Sequence, residues 1–128
     1  ELALAYSKER KAFGKEIHKH QAIAFKLADM ATQIEAARLL TLKSAALKDA
    51  GENYDIASSM AKLYASEVAM KQTVEAVQIH GGYGYVKEYH VERLWRDSKL
   101  LEIGGGTLES HQKNITRDLA KDGEAINR

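Results

Sequence analysis

The chain has 128 residues, 45% of them hydrophobic, with 19 Lys plus Arg against 18 Asp plus Glu and a formal net charge of +1. That length fits one domain, and so even a charge balance gives no field for gripping nucleic acid or an anionic membrane. Cysteine is absent, which excludes disulfides and thiolate metal sites, and no apolar run approaches the ~20 residues that span a bilayer.

Proline is also absent, and β-branched residues never cluster in alternation, so helices are expected throughout. Residues 1–12 read as the end of a helix that opens already in register, without an initiator Met. The chain is therefore read as a fragment of a longer protein. Phe13-Gly14-Lys15 breaks the first helix, with Gly14 suited to a C-terminal cap. A long helix is expected from about His20 to Ala50. Ile23, Leu27, Met30, Ile34 and Ala37 form its apolar stripe, and Phe25, Ala28, Leu39, Leu42 and Ala46 widen the buried face. Gly51 ends it.

Tyr54 to His80 repeats the spacing with Ile56, Met60, Leu63, Met70, Val74 and Val77. Glu67 falls on that stripe, as an ion-pair partner or a partly exposed edge. Gly81-Gly82-Tyr83-Gly84 stops this helix. Residues 88–98 make a short one with Val91, Leu94 and Trp95 turned inward. After Gly104-Gly105-Gly106, Thr107 is the N-cap of a last helix, Glu109 suits its dipole, and the helix runs to about Lys121 before fraying. The two long helices each span on the order of 45 Å at ~1.5 Å per residue, and short connections make them antiparallel neighbours. The simplest architecture is all-α, an up-and-down four-helix bundle occupying residues 1–128. Its wide apolar faces also suit burial against a second subunit.

Three stretches carry candidate chemistry. In the first, Arg10 offers a planar fork of donors suited to a pyrophosphate, Phe13 can lie against an aromatic ring system, and His20-Gln21 follow. In the second, Gln78-Ile79-His80-Gly81-Gly82-Tyr83-Gly84 fails as a dinucleotide fingerprint, because its glycines follow a helix and lack the G-x-G-x-x-G spacing. Glycines without Cβ atoms nonetheless let a cofactor approach the backbone. The third runs from Glu88-Tyr89-His90-Val91-Glu92-Arg93 through Arg96-Asp97 to Gly104-Gly105-Gly106-Thr107. A metal site is not expected: His18 and His20 stand two apart, and His80, His90 and His111 have no companion at ligand spacing.

Taken in order, these stretches resemble the acyl-CoA dehydrogenases, flavoenzymes that desaturate acyl thioesters. The first matches Arg-x-x-Phe-Gly followed by Gln, and the second Gln-x-x-Gly-Gly-x-Gly. In the third, His90 replaces the proline of Tyr-Pro-Val-Glu-Arg, and Gly104-Gly105-Gly106-Thr107 falls where Tyr-Glu-Gly-Thr is usual. The resemblance implies the C-terminal helical domain of such a protein, with the N-terminal helical and middle β domains outside this chain. It implies FAD as cofactor, contacted by Arg10, Phe13, His20, Gln21, Gln78, Gly81, Gly82, Thr107 and Glu109, with Gly104 and Gly106 on the acyl-CoA side. In the family the Arg and Gln reach the FAD of a neighbouring subunit, so a homodimer or homotetramer is implied. An electron-transfer flavoprotein is the implied acceptor, and the cytoplasm or mitochondrial matrix the implied compartment.

Many members carry the catalytic glutamate at the position of Gly105, which here keeps only its backbone N–H. Three routes follow. The base comes from a helix upstream of Glu1, as in the isovaleryl and long-chain branches; Glu109 or Glu102 substitutes; or the chemistry is altered, as in a desulfinase or reductase. A non-catalytic assembly module is the rival reading. Small residues at 104 and 105 suit branched or bulky acyl groups. The isolated fragment is expected to be inactive and to bind FAD weakly.

Overall fold

The computed structural model describes residues 1–124; the end of the expected fraying tail, 125–128, lies outside the described residues. Helix α1 (Leu2–Glu9) is followed by a minimal hairpin of β1 (Lys11–Ala12) and β2 (Lys15–Glu16), then by a 3₁₀ turn at Ile17–Lys19. Four further helices follow: α2 (Gln21–Asp49), α3 (Asp55–His80), α4 (Val91–Leu101) and α5 (Leu108–Lys121), with a second 3₁₀ turn at Gly81–Tyr85 between α3 and α4.

Among the described residues the fold is all-α apart from that two-stranded ribbon, but it has five helices and is not the expected up-and-down four-helix bundle. The difference lies in α4. Its Val91 is 1% exposed and its Ser98 5%, and Ser98 Oγ lies 3.0 Å from Thr73 Oγ1 on α3. The short helix is therefore a full packing partner of α3. All the principal helix–helix packings involve α3, which carries α1, α2, α4 and α5 around it. A small core of Ala3, Ile17 and Ile79, joined by Tyr6, Ile23 and Leu27, ties the start of α2 to the end of α3.

Several local expectations change with this arrangement. Gly14 is not a helix cap. The helix stops at Glu9, Arg10 is extended (φ −69°, ψ 127°), and Phe13 (φ 51°) and Gly14 (φ 82°) form a two-residue hairpin loop. Positive φ at both central residues is what the right-handed twist of the flanking strands demands. Lys11 faces Glu16 and Ala12 faces Lys15 across it. Gly51 ends α2 as expected, at φ 73°. The Gly51 N–H donates to Lys48 O and the Glu52 N–H to Leu47 O, a Schellman closure.

On α2 the widening set of Phe25, Ala28, Leu39, Leu42 and Ala46 is exposed, not buried, and Ile34 is 42% exposed. Among the described residues α3 is the main neighbour of α2, which therefore buries a narrow stripe and leaves a second apolar face outward. Val74 on α3 and Leu94 and Trp95 on α4 are likewise partly exposed, and Glu67 is exposed. No helix among the described residues is long and apolar enough to cross a membrane.

Gly84 closes the α3–α4 connection by close approach. A Cβ there would stand 2.5 Å from Val77 O and 2.9 Å from His80 Cβ, whereas one on Gly82 would meet nothing within 4 Å. Gly84→Ala is expected to destabilise by about 1–3 kcal/mol and Gly82→Ala to change stability by less than about 0.5 kcal/mol, as read by urea unfolding of the full-length protein. Equal effects would contradict the packing at Gly84.

Candidate functional site

At the end of α3, the Gly81–Tyr85 turn meets the end of α1. Arg10, Gly81 and Gly82 share the lining of an open cleft of about 440 Å³ with Tyr6, His80 and Tyr83. The Arg10 guanidinium lies 5.5 Å from the Tyr83 ring centroid, a cation–π distance. Behind it, the imidazole of His80 stacks on Tyr6 with centroids 4.3 Å apart, and Tyr89 meets both rings edge-on. His80 is 5% exposed, and its Nδ1 donates to Ala76 O at 2.7 Å. Burial raises the phenol pKa of Tyr6, the nearby Arg10 charge opposing it. Gly81 sits at φ 61°, and a Cβ on either Gly81 or Gly82 would meet nothing within 4 Å. The two glycines present bare backbone to the cleft.

The hairpin places the next pair. Phe13, at positive φ, is 96% exposed. A bulky non-glycine residue in that conformation is strained. His20 Nε2 donates to Ala12 O at 2.9 Å, and its ring stands edge-on to Phe13 with centroids 6.1 Å apart. His18 Nδ1 donates to Ser7 O, so both histidines are occupied by backbone carbonyls. No metal-ligating group of three exists among the described residues. Gln21 opens α2 and Gln78 lies in the last turn of α3, both exposed.

The glycine loop lies elsewhere. Its contacts reach Lys62 and Ser66 on α3: Lys62 Nζ donates to Gly106 O at 2.9 Å and also to Leu101 O, and Ser66 Oγ donates to Leu101 O at 2.9 Å. Roughly 24 Å of helix at ~1.5 Å per residue separates Lys62 from Gln78. Within this chain the candidate site residues thus form two groups, Arg10 to Gly82 at the end of α3 and Gly104 to Glu109 farther back along it.

Thr107 caps α5 as expected, its Oγ1 accepting from the Ser110 N–H at 3.3 Å. The carboxyl of Glu109 is held below the ordinary range by its own backbone N–H and by the Thr107 hydroxyl. Glu102 is ion-paired with Lys99. Gly105 is at φ 71°.

Sequence reasoning passed over Tyr6, Tyr83 and Tyr89, the aromatic wall, and treated His80 only as a failed metal ligand. Their signal was proximity in sequence to the arginine and glycine stretches. Lys62, Ser66 and His111 had no local signal at all, since they act across the fold.

A sequence profile described as "Acyl-CoA dehydrogenase, C-terminal domain" matches residues 1–120. The chain belongs to the acyl-CoA dehydrogenase family. Among its relatives, the probable acyl-CoA dehydrogenase YngJ of Bacillus subtilis is 53% identical over 121 residues, covering 94% of this chain and 32% of that protein. The caffeyl-CoA reductase–Etf complex subunit CarC of Acetobacterium woodii is 52% identical over 119 residues, covering 93% and 31%. The solved butyryl-CoA dehydrogenase of Megasphaera elsdenii superposes with a TM-score of 0.91 at 49% identity, again over 93% and 31%. The chain therefore spans about a third of the length of these relatives.

One carboxylate braces the hairpin that carries Phe13. Glu16 lies 2.6 Å from Lys19 Nζ and 4.0 Å from Lys11 Nζ. The hydrogen bond from Lys19, then one from the backbone N–H, pulls its carboxyl from 4.5 down to about 2. A lowered folded-state pKa contributes stability above the unfolded value, lost as pH falls through the folded one. The Glu16 contribution is therefore complete above about pH 4.5 and is lost toward pH 2. Carboxyl NMR titration should place Glu16 well below the other exposed glutamates, and Lys19→Met should return it toward them. An unchanged midpoint in Lys19→Met would contradict the pairing.

Proposed function

We propose that the full-length protein is an FAD-dependent oxidoreductase acting on acyl-CoA thioesters, and that this domain supplies its oligomer core, part of its flavin cradle and one wall of its acyl pocket. The convergence of Arg10, Gly81 and Gly82 on one aromatic-walled cleft carries this reading. That donor set fits a dinucleotide: a guanidinium for pyrophosphate, bare glycine backbone for close approach, and ring faces for stacking. Arg10, Phe13, His20, Gln21, Gln78, Gly81 and Gly82 would hold the adenosine side of FAD, and Thr107 and Glu109 a second portion. FAD, when bound, supplies the acceptor for the hydride leaving the substrate β-carbon.

The chain's own contribution to the chemistry is electrostatic. The Gly105 N–H, at the position where many family members carry the base, would donate to the thioester carbonyl and stabilise enolate character. Gly104 and Gly106 would border the acyl group. Glu102 is ion-paired with Lys99, and the Glu109 carboxyl is held at the start of α5 by its own backbone N–H and the Thr107 hydroxyl, which argues against either as the base for the α-proton. The base would then come from outside this domain. A second reading, altered chemistry such as a reductase, is favoured by the same bare Gly105, and CarC, 52% identical, is a reductase subunit. We also assign homo-oligomer formation to the outward apolar face of α2, electron exchange to an electron-transfer flavoprotein, and the cytoplasm or mitochondrial matrix as compartment.

The direct test is anaerobic titration of the full-length flavoprotein with a panel of straight, branched and aryl acyl-CoA thioesters. Bleaching of the visible flavin band by at least one saturated thioester supports dehydrogenation. Reoxidation of the reduced protein by an enoyl-CoA, without bleaching, supports the reductase reading. Neither event with any thioester contradicts both.

Phe13 separates cofactor binding from folding. Phe13→Asn keeps a residue tolerant of positive φ and gives up almost no burial, so stability should move by less than about 0.5 kcal/mol. FAD affinity should fall by about 3- to 10-fold, the worth of one aromatic contact. Equal FAD affinity by fluorescence titration would remove Phe13 from the cradle.

A further inference from the structure

The segment Leu101–Thr107 contains three consecutive glycines, two of them at positive φ: Gly105 at 71° and Gly106 at 98°. A run without side chains cannot anchor itself and gives up more backbone freedom on ordering than any other sequence. Its anchors come from two other helices. One ammonium spans the loop, as Lys62 Nζ donates to Leu101 O where the chain leaves α4 and to Gly106 O where it enters α5. Ser66, one turn on along α3, donates to the same Leu101 O at 2.9 Å, a bond its hydroxyl shares with Lys62 O at 2.7 Å. From α5, His111 Nε2 donates to Gly105 O at 3.2 Å.

Ordinary capping of α4 explains part of this. A lysine at a helix C-terminus satisfies a free carbonyl and complements the dipole, which accounts for Leu101. It does not account for Gly106, beyond the end of α4, or for His111 on Gly105. The fit is also steric. A Cβ on Gly106 would stand 2.9 Å from His111 Nε2, and one on Gly105 would stand 4.0 Å from Lys62 Cε. Because peptide planes are trans, turning the Gly105 carbonyl to His111 and the Gly106 carbonyl to Lys62 directs the Gly106 and Thr107 N–H groups the opposite way. The clamp thereby fixes the rotation of both peptides that follow Gly105.

We infer that Lys62, seconded by Ser66 and His111, is a positioning residue for the reaction: it locks the Gly104–Gly106 loop so that the backbone around Gly105 presents a fixed face to the acyl thioester. This rests on the reading that the loop borders the acyl pocket. Lys62 acts through the loop and does not touch substrate. Charge-assisted donors to two carbonyls hold a backbone more firmly than neutral ones, which suits a loop whose amides must be in place before charge develops.

The test uses the full-length flavoprotein carrying Lys62→Met, which keeps the stem and removes the donors, and Lys62→Arg, which keeps a cationic donor. Amide hydrogen exchange is read for residues 102–108, with and without FAD, alongside kcat and KM for the best thioester. Lys62→Met should accelerate loop exchange by roughly tenfold or more while the ends of α3 exchange as before. It should lower kcat by about 10- to 100-fold with KM moving less than about threefold, and Lys62→Arg should recover most of both. If Lys62→Met does not fold, His111→Leu, which removes only the Gly105 contact, should show the same pattern at smaller size. Unchanged loop exchange overturns the clamp. A loosened loop with kcat intact overturns the positioning role and leaves Lys62 a structural anchor. If the wild-type protein never reacts with a thioester, the functional reading fails, and the exchange result alone still decides whether Lys62 holds the loop.

Discussion

Helix α3 is the rod on which the other elements are mounted. It packs against α1, α2, α4 and α5, and each functional feature is fixed to a particular height along it. Its final turn and the Gly81–Tyr85 turn carry the aromatic cleft and Arg10. Its middle carries Lys62 and Ser66, which hold the glycine loop. A continuous helix is stiff over this length, so the distance between the two groups is set by residue number at ~1.5 Å per residue. Loops alone would not maintain it.

The packing around α3 is sparing in large apolar groups. Ser59, Ser66, Gln72, His80 and Ser98 are buried beside Ala61 and Val68, and polar pairs such as Gln72 Nε2 to Gln33 Oε1 at 2.9 Å join α2 to α3. Gln72 Oε1 finds no partner among the described residues. Meanwhile Phe25, Leu39 and Leu42 on α2, and Leu100, Leu101 and Ile103 around the end of α4, stand 49% to 66% exposed. Exposed apolar side chains grouped in this way are typical of surfaces that meet a partner or a ligand.

Helix positions were legible because the 3.6-residue period and the glycine stops are local signals. The bounds of α2 and α3 differ from the sequence reading by one residue at each shifted end, and Thr107 caps α5 as its type requires. The hairpin was not legible. Phe-Gly is a poor type I′ signal, and the strain at Phe13 shows only in the backbone. The inward stripe of α2 was legible in Ile23, Leu27, Met30 and Ala37, but its width was not, because two apolar faces on one helix look alike in sequence and only the number of neighbours decides which is buried. Family motifs marked Arg10, Gln78 and the glycine loop. The aromatic wall and the lysine clamp arise from contacts between distant segments, such as Lys62 with Gly106, that no spacing rule encodes.

We propose that α3 carries two separate half-sites, and that each cofactor is completed by one group of this chain and the other group of a neighbouring protomer. A structure of the full-length, flavin-loaded assembly tests it most directly. The account predicts the adenosine half of FAD against Arg10, Gln78 and Gly81 of one protomer, with the Gly104–Thr107 loop of a neighbouring protomer facing the flavin ring. A flavin that touches neither group, or an assembly in which the α3-end cleft faces open solvent, would contradict it.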